Sequence, residues 1–95
     1  MKYQISTPSA PDTIGPYSQA IEDGEWLFCS GQIGIDPLSG RLVEGGIEHE
    51  TRRVMENLRE VLSAADLHFE DIVKTTIYVV DLCDFDIVTA STASI

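Results

Sequence analysis

A chain of 95 residues, 43% hydrophobic and 23% charged, is long enough for one domain around one modest core. Six basic against sixteen acidic residues leave a formal charge of −10, which opposes nonspecific binding to phosphate backbones and to anionic membranes. No apolar run is long enough to cross a bilayer, and Met1-Lys2-Tyr3-Gln4-Ile5 lacks the apolar core of a signal peptide, so a cytoplasmic location is expected.

Lys2 to Ser6 suits a short first strand. Thr7-Pro8-Ser9-Ala10-Pro11-Asp12 reads as a loop, because its prolines fix the backbone and remove donors. Gly15-Pro16 is a second break, and a strand is expected from Tyr17 to about Ile21. Glu22-Asp23-Gly24-Glu25 forms a hairpin turn with Asp-Gly at its centre. Trp26 to Cys29 then returns antiparallel as a buried apolar strand. This hairpin brings Tyr17 and Ser30 to one end of the sheet. Taken by itself, Tyr17 reads as a half-buried aromatic whose hydroxyl reaches water.

After Cys29 the chain turns small and polar. Ser30 offers a hydroxyl and Gln32 an amide. Gly31 has no Cβ, so it marks either a bulge or a place where a ligand or another backbone comes close. The stretch alone leaves both open. Ile33 and Ile35 resume the buried pattern.

Asp36-Pro37-Leu38-Ser39-Gly40 is a turn, and Leu42-Val43 a short extended piece. Gly45-Gly46 releases the chain into the strongest helix, Ile47 to Ala65. Ile47, Val54, Leu58, Val61, Leu62 and Ala65 form its apolar stripe. Glu48 and Glu50 suit the first turn, and Glu48–Arg52 and Arg52–Glu56 are i,i+4 pairs. Arg52, Arg53 and Arg59 alternate with glutamates, which reads as a salt-bridged solvent face. Asn57 interrupts the pattern. Such a residue more commonly sits at the solvent boundary, and its other use is to bond a neighbouring loop.

Asp66 to Asp71 is a connection, with His68 as a partly exposed loop residue. Ile72 to Val80 is the best strand in the chain. Both of its faces are apolar, which predicts cover on both sides, with Lys74 as the polar exception. Asp84 is a candidate cap for a second amphipathic helix begun by Phe85, Ile87 and Val88. Thr89 to Ile95 is small and polar and is expected to fray. Cys29 and Cys83 are expected to stay free without a secretory signal. Neither His49 nor His68 is placed to activate them or to complete the paired spacing of a zinc site, so no metal is expected.

Ile14-Gly15-Pro16-Tyr17-Ser18-Gln19-Ala20, followed by Phe28-Cys29-Ser30-Gly31-Gln32-Ile33, resembles the RidA family, also called YjgF or L-PSP. The resemblance continues through Asp36-Pro37, Gly40, Leu42-Val43, Gly46, Thr51-Arg52, Glu56-Asn57-Leu58, Asp71 to Thr76, Tyr78-Val79 and Asp84-Phe85. It runs to about Val88, and Thr89 stands where the family usually has asparagine. The order of these motifs is more specific than any one of them.

The resemblance implies one RidA/YjgF-like α+β domain over residues 1–95, resembling chorismate mutase of the barrel type. Its mixed sheet carries the helices on one face, and the family's C-terminal strands would lie outside these residues. It implies a homotrimer with sites at subunit interfaces. It implies hydrolysis of 2-iminobutanoate- or 2-iminopropanoate-type enamines and imines to ammonia and 2-oxo acids, with no cofactor. Tyr17, Ser30 and Gly31 would be catalytic, and Gln32 would join them in binding substrate. The family's carboxylate-binding arginine and water-orienting glutamate fall in C-terminal strands beyond residue 95, so poor turnover by these residues alone is expected. Two other readings compete. One is a non-catalytic module binding small carboxylates or proteins. The other is an endoribonuclease or translation inhibitor, from the family's older naming, and the acidic balance weighs against it.

Overall fold

The computed structural model describes residues 2–13, 17–79 and 82–93. The Gly15-Pro16 break, the end of the expected strand at Val80, and the last two residues lie outside that set. Three strands form one antiparallel sheet in chain order: β1 (Lys2–Ile5), β2 (Ala20–Asp23) and β3 (Trp26–Cys29). Two helices follow, α1 (Ile47–Ala64) and α2 (Phe85–Ala93). The protein is therefore α+β, and among the described residues its sheet is antiparallel throughout.

The hairpin forms where the sequence places it, with a shifted centre. Asp23 pairs with Trp26, so the two-residue loop is Gly24-Glu25. Gly24 takes φ +62, the conformation a hairpin of this length requires at its first position. β2 begins at Ala20 rather than Tyr17, which leaves Tyr17 and Ser18 free of the ladder.

Strand register sorts the side chains. Ile5, Ala20 and Leu27 share the face turned to α1, where Ala10, Ala20 and Val61 make the buried cluster. Ile21, Trp26 and Phe28 share the other face. Trp26 is 58% and Phe28 63% exposed, so this strand is buried on one side only. Ile33 is likewise exposed, although the sequence pattern placed it inside.

α1 buries Val61 and Leu62 as its stripe predicts, and it also buries Thr51 and Asn57. The Thr51 hydroxyl is satisfied within the helix, donating to the Ile47 carbonyl at 2.7 Å. Arg52 pairs with Glu48 at 3.6 Å, while Glu56 pairs with Arg59 at 2.6 Å. The helix ends with Asp66 at φ +59. The Leu67 N–H donates to the Leu62 carbonyl at 2.8 Å and the Asp66 N–H to the Ser63 carbonyl at 3.0 Å. These two bonds close the helix as a Schellman motif does.

Residues 72–79 are not a strand. Val73 is 77% and Tyr78 92% exposed, against the expectation of cover on both faces. The physical reason is that strand propensity expresses fit to a pleated, half-buried surface, not a backbone preference. Among the described residues no strand lies beside this segment to complete a ladder. α2, by contrast, runs on to Ala93, five residues into the stretch expected to fray. That stretch has no glycine or proline to stop a helix, and Val88, buried where α2 packs on α1, anchors its start.

Candidate functional site

The site lies where β2 begins and β3 ends. Ser30 follows Cys29 directly, and its backbone N–H donates to the Gln19 carbonyl at 3.0 Å. This bond carries the β2–β3 pairing one step past Ala20–Cys29. The Ser30 hydroxyl then donates to the Ser18 carbonyl at 2.5 Å. A carbonyl can only accept, so the hydroxyl proton is committed to the backbone and Oγ turns its lone pairs elsewhere.

Gln19 is buried and holds the proline loop. Its Oε1 accepts from the Thr7 N–H at 2.7 Å. Its Nε2 donates to the carbonyls of Thr7 (3.1 Å), Ala10 (3.3 Å) and Pro11 (2.9 Å). On the other side, Asn57 is fully buried on α1 and holds the loop after β3. Its Nδ2 donates to the carbonyls of Ile33 (3.2 Å) and Ile35 (2.9 Å), and its Oδ1 accepts from Arg53 Nε at 3.0 Å. Asn57 is thus no solvent-boundary residue, and Arg53 is no simple member of a charged solvent face.

Between these two loops lies an open pocket of about 90 Å³. Pro11, Asp12 and Thr13 form one wall, and Ser30 to Ile33 with Ile35 the other; Tyr17 and Gln19 complete the lining. All four residues singled out in the sequence, Tyr17, Ser30, Gly31 and Gln32, therefore meet at one place. Tyr17 is half exposed and Gln32 half-buried. A Cβ built on Gly31 would meet no protein atom within 4 Å, so its backbone stands open to whatever enters. The glycine that another backbone approaches is Gly34, where a Cβ would lie 3.0 Å from Glu50 Cα. Among the described residues Asp12 is the only charged one in the lining.

Cys29 sits beside the site without lining it. The thiol stays partly open to solvent, yet the atoms around it desolvate it enough to push its pKa up. Burial of this kind makes a thiol less reactive. His49 stands over Gly45, and the exposed His68 uses its backbone N–H on the Asp71 carboxylate at 2.9 Å. Among the described residues no three His, Cys, Asp or Glu side chains gather as a metal site. Nor is any helix among them long and apolar enough to cross a membrane.

Of the two amides that hold the pocket walls, sequence reasoning gave Gln19 no such role and weighed a loop bond for Asn57 while favouring the solvent boundary. Gln19 gave a usable signal, a polar residue between a tyrosine and the first paired residue of a strand. Asn57 gave another, lying in line with an apolar stripe.

Fold and pocket together define a small α+β protein with an open pocket at the end of its hairpin, largely apolar in its lining and carrying a few polar groups. The sequence model of the endoribonuclease L-PSP family matches residues 7–95, and the chain belongs to that family, also called RidA or YjgF. That match includes residues 89–95, beyond the last of the quoted motifs. The chain is 48% identical over 81 residues to the mouse 2-iminobutanoate/2-iminopropanoate deaminase, covering 85% of this chain and 60% of the mouse protein. Among solved structures it superposes on the Rid-family protein YyfA of Yersinia pestis with a TM-score of 0.96 at 44% identity, over 99% of this chain and 75% of that one. Escherichia coli TdcF with bound serine gives a TM-score of 0.92 at 34% identity, over 97% and 72%. The chain thus spans 60% of the length of the mouse relative.

Proposed function

We propose that this protein is an enamine/imine deaminase of the RidA type, hydrolysing small 2-imino acids to 2-oxo acids and ammonia. The observation that carries the reading is the meeting of Tyr17, Ser30, Gly31 and Gln32 around one pocket, in a chain 48% identical to a protein named for this activity. In the reaction the enamine tautomerises to an imine. Water adds to the imine carbon, and the carbinolamine expels ammonia as the C=O bond forms. The imine carbon is already electrophilic, so the chemistry needs positioning and proton management and no cofactor.

In this reading each residue has a task. Ser30 Oγ, its own proton held by Ser18, accepts a hydrogen bond from the attacking water or from the carbinolamine nitrogen. The open backbone of Gly31 admits the planar imino acid. The Tyr17 hydroxyl and the Gln32 amide supply polar contacts across the pocket. The substrate carboxylate wants a cation, and among the described residues the lining offers none. In the family that role belongs to an arginine beyond residue 95, beside a glutamate that orients water. A homotrimer with sites at subunit interfaces agrees with the exposed face of Trp26 and Phe28. A cytoplasmic location goes with substrates released by pyridoxal-phosphate dehydratases.

The test is ammonia release from freshly generated 2-aminoacrylate. It compares these 95 residues with a chain extended by a family-type C-terminal strand pair. We expect turnover in the extended chain and a rate at least about a hundredfold lower in the shorter one, since losing ~3 kcal/mol of transition-state stabilisation has that effect. No ammonia above the buffer rate from the extended chain would remove the deaminase reading.

One observation favours a second reading, a non-catalytic module: among the described residues the lining holds hydrogen-bonding groups but no cation or strong base. Binding of 2-oxobutanoate with no turnover by either chain would select it. The endoribonuclease reading has the family's name behind it. A chain of charge −10 whose pocket has no basic residue gives a phosphate backbone little to bind.

A further inference from the structure

We infer that Asn57, with Arg53 behind it, is a positioning residue that sets the Gly31–Ile35 wall of the pocket from inside α1. Asn57 is 0% exposed and stands outside the pocket lining, so it does not meet a ligand. Its three hydrogen bonds all serve the wall or fix the amide that holds it. A guanidinium offers only donors, and the Ile33 and Ile35 carbonyls only accept. One orientation of the amide satisfies all three bonds: oxygen to Arg53, nitrogen to the loop. Arg53 therefore selects which end of Asn57 faces the pocket wall.

The wall has few other ties to the body of the protein. Gly34 presses on the α1 backbone at Glu50, and its carbonyl accepts from the Val43 N–H at 2.8 Å. Ile35 makes a single bridge to Leu42. Ile33 itself is exposed and packs on little. The two bonds from Asn57 reach either side of Gly34, so they fix both the height and the tilt of the segment that carries Gly31 and Gln32. An apolar residue at position 57 would remove the amide donor from both carbonyls, leaving Ile33 with the Ile35 N–H at 2.8 Å, and a carboxylate would repel them.

The ligand in this proposal is the one proposed above, a small 2-oxo or 2-imino acid; the positioning of the wall is measured without it. The experiment uses the 95-residue chain and compares Asn57→Leu and Arg53→Met with the parent. Amide hydrogen exchange is followed at Ile35 and Val43, with Leu67, bonded to Leu62 at the far end of α1, as the control. Affinity is measured with 2-oxobutanoate as the probe. We expect Asn57→Leu to speed exchange at Ile35 and Val43 by about tenfold relative to Leu67, and to weaken the probe by a similar factor, as loss of buried hydrogen bonds implies. Arg53→Met keeps the buried amide and frees only its orientation, so it should give the same local pattern at smaller amplitude.

Equal acceleration at all three amides would reduce Asn57 to a general stabiliser and overturn the proposal. Unchanged exchange at Ile35 and Val43 would do the same. If Asn57→Leu does not fold, Arg53→Met decides: a local effect at Ile35 and Val43 supports the proposal, and none overturns it. If the parent chain does not bind 2-oxobutanoate, the exchange data alone decide the role of Asn57, and turnover by the extended chain decides the deaminase reading.

Discussion

Ser30 is tied to the chain before β2 through two successive carbonyls, its N–H to Gln19 at 3.0 Å and its hydroxyl to Ser18 at 2.5 Å. This double tie makes Ser30 the fixed corner of the pocket and decides which way its oxygen acts. Ser30→Ala keeps the backbone bond and removes the hydroxyl. We expect a loss of about 1 kcal/mol in unfolding free energy from the missing bond. Affinity for 2-oxobutanoate should fall by several-fold, as roughly 1 kcal/mol implies. Urea titration and calorimetry measure the two effects. An unchanged affinity would show that the Ser30 oxygen does not face the ligand.

Gly31 makes the complementary prediction. A Cβ there meets no protein atom within 4 Å, so Gly31→Val should leave folding largely intact while its branches occupy the approach to the pocket. Binding of 2-oxobutanoate should be lost, with the melting temperature nearly unchanged. Parent-like affinity would remove Gly31 from the site.

Asp66 closes α1 with φ +59, where a Cβ is unfavourable, and its negative charge sits at the negative end of the helix dipole. Asp66→Gly relieves both, partly offset by the added freedom of the unfolded chain. The expected outcome is stabilisation by roughly 0.5–1 kcal/mol in thermal or urea unfolding. Destabilisation would mean that the aspartate side chain makes a local bond worth more than the strain.

The raised pKa of Cys29 fixes the sign of a pH effect. Folding favours its neutral thiol, so this contribution to stability is fully present below the ordinary thiol pKa. It is lost as pH rises through the folded-state value. Between neutral and strongly alkaline pH, the parent should lose more stability than Cys29→Ser. In a Cys83→Ser background, alkylation of Cys29 by iodoacetamide should reach half its limiting rate at a higher pH than a small-molecule thiol, whose pKa is about 8.5. A midpoint at or below that value would contradict the desolvation.

Much of the fold was legible because local signals and tertiary outcome agree in this chain. Gly24 requires its turn, and Val61 and Leu62 require a buried helix face, whatever else happens. Tyr17 and Ser30 follow, since a hairpin must bring their ends together. The absence of a strand over 72–79 was not legible in the same way. Val73, Ile77 and Tyr78 report what the segment suits, but a ladder depends on what lies beside it. Asn57 and Gln19 were hard to read for a different reason. A polar residue among apolar ones has two outcomes, exposure or a fully bonded burial, and only the carbonyls it meets decide between them. The same holds for Gly31 and Gly34, three positions apart: one opens to the pocket and the other packs on α1.

The outer sheet face yields a prediction about assembly. Register puts Ile21, Trp26 and Phe28 on one side, with Phe28 directly opposite Ile21 across β2–β3. Trp26 and Phe28 are exposed there, on a face that α1 does not cover. Burying each large side chain gives about 1.5–3 kcal/mol, so a few of them repeated between copies suffice to hold subunits together. The chain should therefore sediment as an oligomer at micromolar concentration. Phe28→Glu places a charge in the middle of that face beside Ile21 and should shift the protein toward monomer by at least about tenfold in dissociation constant. Glu25→Gln, in the turn, should leave assembly as it is. Sedimentation velocity over a dilution series reads all three proteins. A parent chain that sediments as a well-folded monomer at every concentration would show that this face is not an interface. An oligomer that survives Phe28→Glu unchanged would place the interface elsewhere on the molecule.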